Sequence, residues 1–307
     1  MMDEYTLKTK RWLDNRFRET DKNGIYFAHQ PIYGFRKGHC EFAMVSRYMR
    51  TYHIMRAISR LNVKSLLDVG AAEGYKAAVA RELFGIQVTC TDLSEEACNR
   101  AREIYNIEAA PADVHELPYG DNAFDVSLCS ETLEHVTDFR KAMQELLRVS
   151  KKAVIVTVPH EPEAKVEANI ASAAPHGHIH AFEPNSFDYL KEAGLTIYNW
   201  RIESSKLSAP AVLIDAMPVQ YQERWKFPKW VASAYNLTVP ILRLFLGKRT
   251  AAWLIRKDES LCKTSPSYTG LVLLILKDPT AFKGESVPEI DPLRIINFAV
   301  PYHTLRK

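Results

Sequence analysis

Leu66-Leu67-Asp68-Val69-Gly70-Ala71-Ala72-Glu73-Gly74 is an apolar strand that runs into an acidic residue and then a turn of small residues opening a helix. Gly70 and Gly74 let the backbone turn sharply and approach a ligand, and Ala72 keeps the middle of the turn small. The helix that follows offers free N–H groups at its start. A strand, a tight small-residue turn and a helix in that order mark a nucleotide-binding α/β domain.

Downstream, Gln87-Val88-Thr89-Cys90-Thr91 is a second short strand ending at Asp92. An acid at that place can accept both hydroxyls of an adenosine ribose, which suits NAD as well as S-adenosylmethionine. The third element separates the two ligands. Ala112-Asp113-Val114-His115-Glu116-Leu117-Pro118-Tyr119 precedes a turn and strand, Asp121-Asn122-Ala123-Phe124-Asp125-Val126-Ser127-Leu128-Cys129, and then Ser130-Glu131-Thr132-Leu133-Glu134-His135-Val136. From about Leu61 through Pro159, and again at the C-terminal strand, the sequence resembles the class I S-adenosylmethionine-dependent methyltransferases, in particular the group whose fourth strand reads FDxVxxxxxLEHV.

That resemblance implies S-adenosylmethionine as cofactor. Asp68 would orient the loop and the amino-acid end of the cofactor, with Gly70, Ala72 and Gly74 lining it. Asp92 would hold the ribose and Asp113 the adenine amino group, with Leu93, Val114 and Ser130 beside them. Ala72 departs by one methyl from the glycine usual in the family. A nicotinamide-dependent oxidoreductase would need a third-glycine fingerprint and a Tyr-x-x-x-Lys or similar set, and neither stands in register.

Apolar periodicity predicts strands near 65–69, 87–91, 107–110, 124–129, 153–158, 195–204 and 269–277, with helices near 74–84, 94–105, 138–149 and 184–193. The alternation gives an α/β, Rossmann-like, seven-stranded and mainly parallel sheet, and the family's reversed last strand suits Gly270-Leu271-Val272-Leu273-Leu274-Ile275-Leu276. The expected division is an N-terminal helical cap over residues 1–60, the cofactor domain over 61–204 and 268–280, an insertion over 205–267, and a C-terminal extension over 281–307.

The 307 residues exceed one such domain, and 47% apolar content is enough for a large core. Cys40, Cys90, Cys98, Cys129 and Cys262 form no CxxC pair, which fits a reducing compartment without structural zinc. The polar start, Met1 to Lys10, reads as neither signal peptide nor membrane anchor, so a cytoplasmic protein is expected. The insertion is unlike the rest. From Tyr221 to Lys257 eight basic residues stand against Glu223 alone, a sum of +7 in a chain of +3. Trp225, Trp230, Trp253 and the run Val239-Pro240-Ile241-Leu242-Arg243-Leu244-Phe245-Leu246 lie in the same window. That composition suits a helical lid with a solvated basic side, or peripheral contact with an anionic membrane through 221–257. Nucleic acid is not an expected partner, because the total charge is nearly balanced and no RNA-binding module is visible.

Methyl transfer from a sulfonium asks for alignment and exclusion of water, and a hydroxyl acceptor also needs a base. His160, after the fifth strand in Thr157-Val158-Pro159-His160, is the first candidate, His29 the second, and His178 of His176-Gly177-His178-Ile179-His180 the third. If the segment after strand four is helical, Glu131, Glu134 and His135 share one face and could hold Mg²⁺ or Mn²⁺. Glu-x-x-Glu-His also resembles the metal-binding pattern of ubiquinone-pathway O-methyltransferases. The expectation is O-methylation of a small molecule, a glycan or a lipid-linked intermediate, with N-methylation or a non-catalytic cofactor-binding subunit as alternatives.

Overall fold

A computed structural model of the chain describes residues 2–20, 26, 28–35, 44–173, 175–207, 229–264 and 266–298. In order these form α1 (Glu4–Arg18), α2 (Met44–Ser59), β1 (Ser65–Val69), α3 (Tyr75–Phe84), β2 (Gln87–Asp92), α4 (Glu95–Tyr105), β3 (Glu108–Pro111), β4 (Phe124–Ser130), α5 (Phe139–Val149), β5 (Ser150–Pro159), α6 (Glu163–Ser172), α7 (Tyr189–Glu192), β6 (Thr196–Ser204), α8 (Lys229–Thr264), β7 (Tyr268–Leu276) and α9 (Pro292–Ile296). The seven strands make one sheet in the order β3-β2-β1-β4-β5-β7-β6. All pairs from β3 to β5 are parallel, while β7 runs antiparallel to both β5 and β6. This is the Rossmann-like sheet with a reversed last strand that the sequence predicts.

Both faces are covered, which is why β5 and β7 read as continuous apolar runs rather than alternating ones. Val154, Val156, Leu271 and Leu273 pack on one side with Met143 and Leu146 of α5. Ile155, Val272 and Leu274 pack on the other with Ile54, Met55 and Ile58 of α2 and Leu254 and Ile255 of α8. Local chemistry places the helix ends. The hydroxyl of Ser94 accepts the N–H of Ala97 at the start of α4, and Asp138 accepts that of Lys141 at the start of α5.

Two expectations change. The helix expected over 184–193 shrinks to α7, because bonds such as Ser186 N–H to Glu183 O and Leu190 N–H to Phe187 O keep the spacing of three residues that makes successive turns, not an α-helix. The segment after β4 is likewise only one 3₁₀ turn, Leu133–His135, and Glu131 lies outside it with φ of 55°. No described helix is long and apolar enough to cross a membrane. Within the insertion, 208–228 lie outside the described residues, as do Ile25, Phe27 and Cys40 and the end of the extension, 299–307.

Candidate functional site

β1, β2 and β4 all deliver their carboxyl ends to one side of the sheet, where a cavity of about 410 Å³ opens, within the range of ligand pockets. Val69, Gly70 and Ala72 form its floor, and Gly70 lies against Thr132 so closely that an added Cβ would stand 2.1 Å from Thr132 Oγ1. Gly70 and Gly74 take φ of 71° and 79°, and Ala72 takes 47°, a left-handed conformation that costs a non-glycine residue about 1 kcal/mol.

Asp68 is wholly buried beneath this loop, and neither of its carboxylate oxygens has a hydrogen-bond partner among the described residues. Burial pushes its pKa up to about 6, against the pull of Lys76. Asp92 accepts the N–H of Ala72 (2.9 Å) through one oxygen and that of Ser94 (2.9 Å) through the other, so it braces the loop from β2. Its pKa is raised by burial. Asp113 takes both the N–H and the ring Nδ1 of His115 on one oxygen, at 2.9 and 2.6 Å. Burial opposes ionisation of Asp113, but the His115 bonds outweigh it and hold the carboxyl below its ordinary range. Leu93 and Val114 line the same end of the cavity. Ser130 also lines it, its hydroxyl paired with that of Thr157 at 2.7 Å.

The N-terminal segment closes the loop from above. Gln30 Oε1 accepts the N–H of Tyr75 (2.7 Å) at the start of α3, and its amide donates to Ala71 O (3.1 Å). The His29 N–H donates to Glu73 Oε1 (2.7 Å), and its ring packs on Phe17 at 4.6 Å. His29 faces the cavity as a cover. Burial, helped by Arg47, lowers its pKa to about 3, which removes the proton affinity a base needs.

The other end is built from α2, the turn after β4 and the histidine-bearing loop. Ser46, Arg47, Arg50 and Thr51 on one face of α2 line it, and Arg50 bridges Glu131 (2.9 Å) and Glu203 (2.8 Å). Glu131 also accepts from Thr157 Oγ1 at 3.0 Å. It is therefore committed to the protein rather than grouped with Glu134 and His135, and the trio expected on one helical face is not assembled. His178 takes the third place: Glu134, His135 and His178 each bring one ligand atom within 4.8 Å of the others. Glu134 is 1% exposed, and its carboxylate oxygens have no hydrogen-bond partner among the described residues. Burial and then Glu131 push its pKa well up, while burial and then His176 push that of His135 well down. His135 Nδ1 sits 3.2 Å from Gly177 O, which leaves Nε2 as the lone-pair nitrogen.

Of the three histidine candidates, His178 lines the cavity with a carboxylate on its ring. Its Nδ1 lies 2.8 Å from Glu161 Oε2, a carboxylate that fixes the tautomer and leaves Nε2 free. His160 is not brought into the cavity. Its N–H still pairs with Thr269 O at 2.8 Å, continuing the sheet, while its ring stacks on Tyr268 at 4.5 Å and holds Phe182 O at 3.0 Å. Glu161, Gln30, Arg50 and Lys76 are absent from the residues predicted for the site. The one signal available was position, since Glu161 follows β5 and Lys76 is the second residue of α3.

Residues 67–158 match the sequence profile of a methyltransferase domain. The chain is similar to the glycine/sarcosine/dimethylglycine N-methyltransferase of Actinopolyspora halophila, 32% identical over 166 residues that cover 51% of this chain and 28% of that protein. It is similar also to the uncharacterized methyltransferase YcgJ of Bacillus subtilis, 24% identical over 164 residues, 51% of this chain and 62% of that one. The chain thus spans less than two thirds of either relative. Other curated matches include O- and C-methyltransferases. Among solved structures, a putative sarcosine dimethylglycine methyltransferase from Galdieria sulphuraria superposes with a TM-score of 0.50 at 16% identity, covering 88% of this chain and 98% of that one, a likeness of fold.

Proposed function

We propose that this chain, whose residues 67–158 match a methyltransferase domain, is a class I enzyme that transfers a methyl group from S-adenosylmethionine to a hydroxyl of a small-molecule, glycan or lipid-linked acceptor, or to an amine of one. The observation that carries this reading is the cavity that joins Gly70, Asp92 and Asp113 at one end to Glu134 and His178 at the other, with Asp68 buried beneath its loop. The cofactor fits the residues present: Asp68, whose buried oxygens have no hydrogen-bond partner among the described residues beyond the charge of Lys76, lies under the loop that would hold the amino-acid end, and an added Cβ at Gly70 would strike Thr132.

When bound, S-adenosylmethionine supplies a methyl already activated by the sulfonium. Asp92 has lone pairs left for the ribose hydroxyls, and Asp113 keeps one oxygen for the adenine amino group. Gln30 and His29 exclude water from the loop. His178 Nε2 takes the proton of a hydroxyl acceptor while Glu161 holds the ring and stabilises the imidazolium.

A second reading replaces that base by a divalent cation on Glu134, His135 and His178, favoured by the partnerless Glu134 carboxylate. Two imidazoles and one carboxylate suit Mn²⁺, Fe²⁺ or Zn²⁺ better than Mg²⁺, which prefers oxygen ligands. Calorimetric titration with S-adenosylmethionine, S-adenosylhomocysteine and NAD tests the cofactor: the first two bind and NAD does not, and silence from both sulfur compounds overturns the reading. Turnover before and after chelation then separates the base, which is indifferent to chelator, from the metal, which is not.

A further inference from the structure

α8 is 36 residues long, and its two halves differ. Every buried residue described on it lies at or beyond Gly247, including Ala252 and Ile255, which pack on the domain. Every described side chain from Trp230 to Leu246 is exposed. With about 3.6 residues per turn, Trp230, Leu237, Ile241 and Phe245 fall in one arc of about 80°. Ala252 and Ile255 fall in that same arc, as does the exposed Lys248, while the other buried side chains of the C-terminal half, Ala251, Leu254, Asp258 and Cys262, lie to one side of it. The apolar arc of the N-terminal half thus borders the buried face of the C-terminal half and has no covering surface among the described residues. Trp230 and Phe245 are each 73% exposed, and Leu237 is 70% exposed. A lone exposed apolar residue needs no explanation, but a row of four on one helix face marks an interaction surface.

Charge decides what kind of surface it meets. Between Val231 and Leu246 the one charged residue is Arg243, and Lys248 and Arg249 follow directly, both exposed. The window 221–257 carries +7, so the rest of the chain sums to −4. A second copy packed on this stripe would bring +7 against +7, whereas an anionic bilayer attracts it. Indole rings settle at the headgroup level with leucine, isoleucine and phenylalanine below them and cations among the lipid phosphates. The helix is not apolar enough to cross the bilayer, which fits a segment lying along its surface.

We propose that the N-terminal half of α8 docks in the interfacial layer of an anionic membrane, through Trp230, Leu237, Ile241 and Phe245, with Lys248 and Arg249 on the headgroups. The test is sedimentation of the full chain with vesicles of phosphatidylcholine, with and without phosphatidylglycerol, followed by light scattering in the absence of lipid. The wild type is expected to pellet with the anionic vesicles and about tenfold or more weakly with the zwitterionic ones. Leu237→Glu/Ile241→Glu/Phe245→Glu should lose binding while keeping its affinity for S-adenosylhomocysteine, which reports that the domain is folded. Lys248→Glu/Arg249→Glu, which leaves the apolar stripe intact, should bind anionic vesicles about thirtyfold more weakly. No pelleting of the wild type overturns the proposal, as does equal pelleting of the variants. So does a wild-type dimer that ignores vesicles and is broken by the apolar substitutions, which would make a second copy the occupant.

Discussion

Asp68 loses stability by ionising in the folded protein unless a ligand meets its charge. Its pKa is raised by burial from an ordinary 3.8 to about 6. The protonated form is therefore favoured in the folded protein: the stability it contributes is whole below pH 3.8 and is lost as pH rises through 6. At pH 7, without ligand, Asp68→Asn should be more stable than wild type by up to about 3 kcal/mol, at about 1.4 kcal/mol per pKa unit, as read by urea denaturation. The same substitution should abolish the rise in S-adenosylhomocysteine affinity expected for the wild type between pH 5 and 7, a range that brackets the pKa of about 6. His178 and Glu161 make a separate pair. His178→Ala should lower turnover about 10²–10⁴-fold with cofactor affinity unchanged, and Glu161→Gln should lower it less, because the ring stays and only its orientation suffers. Asp68 and Asp92 could be placed at the edge of the sheet from sequence because β1 and β2 are visible runs, whereas Asp113 follows the short β3, Glu-Ala-Ala-Pro, which carries little such signal. His178 could not be ranked above His160 that way: what separates them is a contact with Glu161, 17 residues away, and the continuation of the sheet through the His160 N–H.

Elements defined by their own periodicity were legible, and elements defined by their neighbours were not. β1, β2 and β4 were found within a residue because an apolar run and its turn are local. The start of β5 was missed: its first residues, Ser150, Lys151 and Lys152, are polar, and Ser150 is placed by pairing with Phe124. α6, over Glu163–Ser172, was also missed, since Val166 is its one buried residue and little amphipathic signal remains. The N-terminal segment shows why such dependence matters for the site. Gln30 supplies from a distance what a serine or aspartate supplies locally at other helix starts, a partner for a first-turn N–H of α3. Gln30→Ala should lower the melting temperature, at a cost of about 1–2 kcal/mol, and weaken S-adenosylhomocysteine binding by calorimetry, because the Ala71 carbonyl is released as well.

Across the whole molecule, the sheet is finished by a side chain. β6 lies at the end of the strand order, and the N–H groups of Glu203 and Ser204 donate to the two oxygens of Asp258 on α8 at 2.9 and 2.7 Å. His53 of α2 reaches the same carboxylate at 3.0 Å, so one fully buried residue ties the insertion, the N-terminal helices and the sheet together. Burial works against its ionisation, but the His53 bond prevails and keeps its pKa below 3.8. Its contribution is therefore present above pH 3.8 and lost only in acid below that. Asp258→Ala should cost about 3–5 kcal/mol in denaturant unfolding at pH 7, whereas His53→Ala should cost less, since the two N–H donors remain. An outermost strand is otherwise a template on which a second chain can grow. At the opposite end the four-residue β3, with Glu108 and Pro111, is too short and too interrupted to serve. At the end of β6 Asp258 holds the last two N–H groups, and Glu203 also pairs with Arg50 of the cavity, so loss of Asp258 should appear both as self-association, seen as turbidity, and as weaker binding of S-adenosylhomocysteine.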